Sequence, residues 1–259
     1  MFRYKLIVLD LDGTLLNSQK KISEGNLAAL RNARENGVLI AFSTARSVGA
    51  MREYIAAVRP DILISNGGAL VERNGEVIFA RQLPAESVRH IIRRCLELSA
   101  GQCEVTVDTE QGYFWNYKRN CDFTKFETPD NVQYSDFSDF QYPAYKVTAE
   151  VEREEDARML AAEIPSCGTL SFSGEIWRRF AHTEATKRCA LEHICGVLSI
   201  TPKEILAFGD DYNDIEMLEF CTGVAMGNGI PEVKAAAEFC ADTNDNDGVA
   251  KFLVDALGK

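Results

Sequence analysis

The sequence predicts an α/β protein whose core is a doubly wound, Rossmann-like parallel sheet with an α+β domain inserted into it. Apolar runs of four or five residues recur in both end segments of the chain and indicate strands buried on both faces. Amphipathic segments at helical spacing separate these runs, which is the pattern of parallel strands joined by crossover helices. Between about residues 83 and 182 the strand segments instead alternate apolar and polar residues, as antiparallel strands with one solvated face do.

The N-terminal segment has the order strand, helix, strand, helix, strand. Ser23 is a suitable cap for the first helix and Gly37 a suitable stop, while Asn74-Gly75 between two apolar segments predicts a type I′ hairpin. The predicted strands cover residues 6–9, 38–42 and 61–64, and the predicted helices cover 23–36 and about 47–58.

We predict that residues 1–82 and 183–259 form the core domain and that residues 83–182 form the inserted domain. The aromatic-rich stretch 113–140 has weak periodicity beyond its first strand and is left unassigned. The elements predicted for the insert are helices at 86–98 and 154–164 and strands at 103–107, 113–115, 145–151, 169–172 and 176–181.

The core pattern resumes near Thr186. Thr201-Pro202 opens a short helical turn, with threonine as the cap and proline at the first position. The remaining predicted elements are helices at 186–198, around 215–218, from 231 and after 248, and strands at 205–208 and 223–226.

Composition narrows the possible function classes. The 259-residue chain is 46% hydrophobic and 26% charged, which suits a globular protein with a full-sized core. Its net charge of −11 argues against nucleic-acid and membrane partners, and no apolar stretch reaches the roughly 20 residues of a membrane helix. The eight cysteines lack a C-x-x-C pair, and two aspartates interrupt the N-terminal apolar run, so we expect a cytoplasmic protein with free thiols. We expect it to be a monomer or a homodimer.

The first predicted strand ends in two carboxylates. Asp10 and Asp12 follow the apolar run, share one face of an extended chain, and precede Gly13 and Thr14. Open parallel sheets bind their ligands beyond the carboxyl ends of the strands. Two close carboxylates repel each other, and a metal ion or a shared proton relieves that repulsion. A plain Asp-Gly turn without a function is the alternative.

Polar residues also stand at the ends of other predicted elements. Thr44 follows the second strand, Lys187 lies in the first turn of a helix, and the run Gly-Asp-Asp-Tyr-Asn-Asp at 209–214 follows the strand at 205–208. Taken alone, Thr44 could be a strand-end cap, Lys187 a solvated helix residue, and the run an acidic turn or a calcium loop. Their common placement at element ends of one α/β pattern favours a functional site.

These four stretches resemble, in order, the four motifs of the haloacid dehalogenase (HAD) superfamily of phosphohydrolases. Asp-Leu-Asp-Gly-Thr at 10–14 resembles the first motif, Thr44 the second, Lys187 the third, and residues 209–214 the fourth. The stretches at 223–228 and 247–250 resemble the Cof-type subgroup, whose α/β (type IIB) cap lies between motifs two and three. The resemblance implies a HAD catalytic core with a cap at 83–182. Within the cap the resemblance is one of architecture only and not of sequence motifs.

The resemblance implies a role for each motif residue. Asp10 would be the nucleophile that forms an aspartyl-phosphate, and Asp12 would be the general acid and then the general base. Thr44 and Lys187 would complete the catalytic set. The implied phosphate contacts are Thr44, Arg46, Lys187 and Asn213.

The resemblance also implies Mg²⁺ as the cofactor, a hard cation that binds carboxylates, carbonyls and water. Asp10 and Asp210 would supply carboxylate ligands and Asp12 its backbone carbonyl. Asp214 would act on the metal through water or would orient Lys187.

Two residues depart from the subgroup pattern without removing a catalytic group. The subgroup has Thr-Gly-Arg after its second strand, and here Ala45 replaces the glycine. The subgroup also has glycine after the motif lysine, and here Arg188 replaces it. Arg188 either adds a cation near the site or faces solvent. We therefore expect a Mg²⁺-dependent phosphatase acting on a small phosphorylated metabolite, with sugar phosphates first. The alternatives are a sugar-phosphate phosphomutase that uses the same aspartyl-phosphate and a non-catalytic protein that binds a phosphorylated metabolite.

Overall fold

The structure, a computed structural model, describes residues 3–117, 132–171 and 176–257. The chain divides into two compact units. The first unit comprises Met1–Ala45, Met51–Phe79 and Thr186–Lys259, and the second comprises Arg46–Ala50 and Ala80–Ala185. The first unit is therefore assembled from both ends of the chain, and most of the second comes from its middle.

Each unit contains one β-sheet and its covering helices. The strands in the described residues are β1 (Leu6–Leu9), β2 (Leu39–Ser43), β3 (Ile62–Ser65), β4 (Leu70–Arg73), β5 (Glu76–Ala80), β6 (Val105–Thr109), β7 (Gly112–Trp115), β8 (Val132–Tyr134), β9 (Lys146–Glu150), β10 (Cys167–Ser171), β11 (Trp177–His182), β12 (Ile205–Gly209), β13 (Thr222–Ala225) and β14 (Phe239–Cys240). The α-helices there are α1 (Glu24–Glu35), α2 (Arg52–Val58), α3 (Ala85–Leu98), α4 (Glu154–Ala162), α5 (Lys187–Leu198), α6 (Ile215–Phe220), α7 (Pro231–Ala236) and α8 (Gly248–Leu257).

The sheet of the first unit confirms the predicted doubly wound parallel architecture. Its strand order is β14-β13-β12-β1-β2-β3-β4-β5, with β1 paired in parallel to β12 on one side and to β2 on the other. All four residues of β1 are buried. One face of the sheet packs on α5 and α6, and Leu6, Val8 and Ala41 share a core cluster there with Leu191 and Met217. The three central strands therefore end side by side at one edge.

The ends of the elements follow the local sequence. Ser23 caps α1 by accepting a hydrogen bond from the backbone N of Asn26, and a side-chain oxygen at this position satisfies a donor that the helix leaves unpaired. Asn74 and Gly75 both have positive φ angles between β4 and β5, as a type I′ turn requires. These turns and caps match the prediction.

Two elements of the first unit differ from the prediction. A 3₁₀ turn at Gly49–Met51 precedes α2, which therefore begins at Arg52 rather than near residue 47. Valine and glycine, here Val48 and Gly49, favour the α-helix weakly, and this explains the late start. Strand β14 was not predicted, because two residues are too few to show any periodicity.

The second unit is built around a six-stranded sheet in the order β10-β11-β9-β6-β7-β8. Its neighbouring strands pair antiparallel except β7 and β8, which are parallel. Helices α3 and α4 cover one face, where Ile91 and Leu160 share a core cluster with Val107, Val147 and Phe180 of the sheet. Strand β8 lies in the stretch that the sequence left unassigned.

The opposite face of this sheet is polar and aromatic. Strands alternate their side chains between faces, so the residues between the core positions point away from α3 and α4. Register places these residues in two rows across the strands. The first row is Trp115, Thr106, Thr148 and Arg179, and the second is Tyr113, Asp108 and Lys146.

No helix within the described residues combines the length and the hydropathy needed to cross a lipid bilayer.

Candidate functional site

The candidate site lies at the edge of the first unit's sheet where β1, β2 and β12 end. Asp10 directly follows β1, Thr44 follows β2, and Asp210 follows β12. The backbone N of Asp10 donates to the carbonyl O of Phe208 at 3.1 Å, so the parallel pairing continues into the site. Only 5% of Asp10 is exposed. The topology thus brings together three polar residues from distant parts of the sequence.

Lys187 places a buried cation at this edge. Thr186 caps α5 by accepting a hydrogen bond from the backbone N of Cys189, which makes Lys187 the first residue of the helix. Its Nζ donates to Asp10 Oδ1 and to Asp214 Oδ1, each at 2.6 Å. Burial alone would lower the pKa of Lys187, but the charges of Asp10 and Asp214 outweigh it and raise that pKa above its ordinary value. Lys187 is therefore a fixed positive charge between two carboxylates.

Asp214 connects this cation to the loop after β12. It is fully buried, and its Oδ2 accepts hydrogen bonds from the backbone N of Asp210 at 3.0 Å and of Asp211 at 3.2 Å. One carboxylate oxygen thus fixes the backbone that carries Asp210, while the other holds Lys187. Asp214 therefore orients both neighbours.

Asp210 lies directly against the first motif. Its Oδ1 accepts a hydrogen bond from Thr14 Oγ1 at 2.8 Å. A Cβ atom on Gly13 would lie 2.1 Å from Asp210 Oδ2, and the φ angle of Gly13 is +76°. Any other residue at position 13 would thus be strained and would displace the Asp210 carboxylate.

The electrostatics of the cluster favour a cation. Carboxylate oxygens of Asp10, Asp210 and Asp214 lie within 4.8 Å of one another. Burial raises the pKa of Asp10 well above its ordinary value, Lys187 partly offsets this rise, and the charges of Asp214 and Asp210 add to it. Burial and the charge of Asp214 raise the pKa of Asp210 to about 7. An oxygen-only group with this surplus of negative charge suits a hard divalent cation.

Asp12 and Thr44 occupy different surroundings. The Asp12 side chain is 40% exposed, and its Oδ1 lies 2.6 Å from Nζ of Lys20. Among the described residues, its carboxylate does not belong to the three-carboxylate cluster. Thr44 is buried, and its backbone N donates to the carbonyl O of Ile64 at 2.9 Å. The sequence thus placed both residues at the correct strand ends.

The other predicted contacts are less closely tied to the cluster. Asn213 is half-buried in the 3₁₀ turn Tyr212–Asp214. Arg46 belongs to the short segment that groups with the second unit, and its Nη1 donates to the carbonyl O of Ala50 at 3.4 Å. Arg188 forms an ion pair with Glu192 at 3.0 Å with about half of its side chain exposed. Of the two alternatives for Arg188, the structure shows the solvent-facing one.

Three residues of the site lacked an assigned partner or role in the sequence analysis. Thr14 holds Asp210, Lys20 pairs with Asp12, and Asn228 Nδ2 donates to the carbonyl O of Gly13 at 2.7 Å. The small polar run at 227–229 after β13 was the signal available for Asn228. A strand-end loop beside β12 can reach the loop after β1, and Asn228 makes that connection.

The chain is similar to proteins of one known family. Residues 7–253 match the haloacid dehalogenase-like hydrolase family. The 5-amino-6-(5-phospho-D-ribitylamino)uracil phosphatase YitU of Bacillus subtilis is 29% identical over 259 residues, covering 96% of both chains. The HMP-PP phosphatase of Klebsiella pneumoniae is 28% identical over 248 residues, covering 89% of this chain and 87% of the relative.

A solved structure shares the whole fold. The HAD subclass IIB sugar phosphatase BT4131 superposes with a TM-score of 0.85 at 24% identity, covering 98% of this chain and 99% of that structure. The fold is therefore that of the HAD superfamily, and the chain belongs to the haloacid dehalogenase-like hydrolase family. Within that family it is of the Cof type and is an enzyme, a HAD-type phosphatase. The resemblance drawn from the motifs is thereby confirmed.

Proposed function

We propose that the protein is a Mg²⁺-dependent phosphatase that hydrolyses phosphate monoesters of small metabolites through an aspartyl-phosphate on Asp10. Sugar phosphates are the substrate class that we propose. The observation that supports this most directly is the buried Lys187 ammonium, which lies 2.6 Å from carboxylate oxygens of both Asp10 and Asp214. Such a cation is suited to hold an anionic phosphoryl group against an anionic nucleophile.

The residues fit a magnesium ion. The carboxylates of Asp10 and Asp210 and the backbone carbonyl of Asp12 would hold it, and Asp214 would act through water or through Lys187. All these donors are oxygens, and their mutual repulsion is what a divalent cation relieves. The ion would neutralise charge between the nucleophile and the phosphate when bound.

In the first half of the proposed reaction, a carboxylate oxygen of Asp10 forms a bond to phosphorus as the ester P–O bond breaks. Protonated Asp12 gives its proton to the departing oxygen, which leaves as an alcohol. Lys187 orients the Asp10 carboxyl group through Oδ1. We assign Thr44, Lys187, Asn213 and Arg46 as the donors to the phosphoryl oxygens.

In the second half, water attacks the phosphorus of the aspartyl-phosphate. Asp12, now ionised, takes a proton from the water as the new P–O bond forms. The bond between phosphorus and Asp10 breaks, which regenerates the free carboxylate and releases inorganic phosphate. The exposure of Asp12 allows it to exchange protons with solvent between turnovers.

We further propose that residues 1–82 and 183–259 form the catalytic core and that residues 83–182 form a cap that selects the substrate. The polar and aromatic face of the cap sheet, with Lys146 and Arg179 among its residues, supports this role. The polar and aromatic residues of the insert are candidate substrate contacts, namely Tyr113, Trp115, Lys118, Arg119 and Arg178. Of these, Lys118 and Arg119 lie outside the described residues. Arg178 donates to the backbone carbonyls of Trp177 and Glu152, and Arg179 donates to that of Ala185.

The choice of sugar phosphates rests on the relatives. YitU acts, by its name, on a substrate with a phosphorylated ribityl chain, and BT4131 is described as a sugar phosphatase. A carbohydrate or polyol has several hydroxyl groups, which a sheet face rich in charged, hydroxyl and indole groups can recognise by hydrogen bonds.

A hydrolysis screen tests the proposal. The purified protein is assayed with Mg²⁺ and with excess chelator against sugar, nucleotide and cofactor monophosphates, and isomerised sugar phosphates are analysed in parallel. We expect Mg²⁺-dependent release of inorganic phosphate, with sugar phosphates as the best substrates. Isomerisation that outpaces phosphate release would favour the phosphomutase instead, and substrate binding without any turnover would favour a binding protein.

A further inference from the structure

The segment Ser65-Asn66-Gly67-Gly68 lies between two parts of the candidate site and has no role in the proposed reaction. It begins at Ser65, the last residue of β3, and all four residues are buried. Asn66, Gly67 and Gly68 have φ angles of 53°, 70° and 102°. Three consecutive residues in the left-handed region form an unusual backbone, which needs support from its surroundings. We call this segment the 65–68 turn.

One side of the 65–68 turn holds Thr44. The backbone N of Gly67 donates to the carbonyl O of Thr44 at 2.9 Å, and the backbone N of Thr44 donates to the carbonyl O of Ile64 at 2.9 Å. Thr44 is therefore hydrogen-bonded through both its backbone N–H and its carbonyl group by β3 and the turn. The position of the threonine side chain at the end of β2 depends on these bonds.

The other side of the 65–68 turn touches the start of α5. A Cβ atom on Gly68 would lie 2.2 Å from the carbonyl C and O of Thr186 and 2.7 Å from the backbone N of Lys187. These are backbone atoms at the capped end of a helix, so they cannot rotate away as a flexible side chain could. Any larger residue at position 68 would thus push the first residue of α5 and the turn apart.

We propose that the 65–68 turn is a positioning element that sets Lys187 and Thr44 relative to Asp10, and that Gly68 is its essential residue. Gly68 acts through Lys187 and touches no reacting atom. Because the Lys187 side chain extends from the helix start to Asp10 and Asp214, a shift of its backbone moves Nζ away from one or both carboxylates. The inference rests on the catalytic role proposed above for Lys187.

Gly68→Ala tests the contact, and Gly37→Ala is the matched control. Gly37 lies in the same unit with a φ angle of +82°, and a Cβ atom there would meet nothing within 4 Å. Both substitutions strain a left-handed backbone, but only the one at position 68 adds a steric clash. Turnover of para-nitrophenyl phosphate is measured with Mg²⁺. We expect Gly68→Ala to lower kcat about 100-fold with little change in KM, since displacement of a catalytic group by roughly 1 Å has this effect, and Gly37→Ala to leave both constants unchanged.

A crystal structure of the metal-free Gly68→Ala protein provides a readout that is independent of activity. We expect Lys187 Nζ to lie beyond hydrogen-bond reach, about 3.2 Å, of Asp10 Oδ1, in place of the present 2.6 Å. An unmoved Lys187 overturns the inference, whatever the activity. A displaced Lys187 with full activity shows that the contact is real, but it overturns the catalytic role proposed for Lys187 and with it the positioning function.

A second variant approaches the same contact from the helix, for the case in which Gly68→Ala does not fold. Thr186→Gly introduces a residue that is tolerated at the helix N-cap. Because glycine has no side chain, the backbone of residue 186, which packs against Gly68, gains conformational freedom. We expect a smaller loss of kcat in the same direction at a nearly unchanged unfolding temperature. Wild-type kcat in Thr186→Gly, together with the wild-type position of Lys187, overturns the inference.

Discussion

Replacement of Lys187 by methionine isolates the charge at the centre of the site. Methionine resembles lysine in length and flexibility, so the packing around the side chain changes little. The substitution removes two hydrogen bonds of 2.6 Å and leaves the side chains of Asp10 and Asp214, which are 7% and 0% exposed, without their cation. The predicted effect is therefore electrostatic.

The magnitude follows from this burial. Removing one partner of a buried ion pair costs about 3–5 kcal/mol, because the other partner remains charged and desolvated. Since 1 kcal/mol shifts the unfolding midpoint of a unit of this size by roughly 2–4 °C, we expect a decrease of roughly 6–20 °C in the metal-free protein at about pH 8.

The pH dependence has a definite sign. The pKa of folded Asp10 is raised above its ordinary value of 3.8, so ionising this carboxyl group lowers stability as the pH rises. Without Lys187 this loss of stability becomes larger, and protonation of Asp10 at lower pH reduces it. Lys187 is charged in both the folded and the unfolded state below its ordinary pKa of 10.5, so its own titration does not contribute near neutral pH.

Thermal unfolding, followed by circular dichroism in excess chelator at about pH 8 and about pH 5.5, measures the effect. Lys251→Met is the control, because Lys251 Nζ also lies 2.7 Å from a carboxylate oxygen, that of Asp242, but its side chain is 53% exposed. We expect little change in the control, as exposed pairs contribute little. A wild-type midpoint for Lys187→Met at pH 8, or an equal decrease at both pH values, would refute the reasoning.

Three further outcomes are expected. Asp10→Asn should abolish turnover, and a beryllium or aluminium fluoride complex should form on Asp10 of the wild type in crystals; near-normal turnover of the variant would require another nucleophile. Asp210→Ala should weaken Mg²⁺ affinity, measured by calorimetry, while lowering the unfolding midpoint little. Full wild-type activity in excess chelator would contradict the proposed metal ligands. Replacing residues 83–182 by a short linker should preserve hydrolysis of para-nitrophenyl phosphate better than that of the best metabolite, and an unchanged preference among metabolites would contradict the role of the cap in selection.

Much of the fold could be predicted because its signals are local. The apolar run of β1, the Ser23 cap and the Asn74-Gly75 turn each depend on neighbouring residues, and the structure shows all three. The late start of α2 and the two-residue β14 were missed, since weak propensities and very short strands leave little pattern to detect.

The sequence by itself determined that carboxylates, a threonine and a lysine stand at the ends of elements in an α/β pattern, because strand and helix ends depend on short-range periodicity. The family resemblance placed both residues in the metal set, Asp12 through its backbone carbonyl and Asp214 through water or Lys187, but it did not separate their surroundings. The tertiary structure decided that Asp214 lies in the buried cluster, while the Asp12 carboxylate is partly exposed beside Lys20.

The burial of Lys187 against Asp10 was likewise decided by the tertiary structure. Taken alone, a lysine in the first turn of a helix is most often solvated, and no local pattern shows which face of the sheet it will meet. The structure buries it against Asp10, 177 residues away in the chain. Contacts over such separations form when strands assemble side by side and remove charged groups from water together, which is why the arrangement of the cluster emerged from the folded chain and not from the sequence pattern.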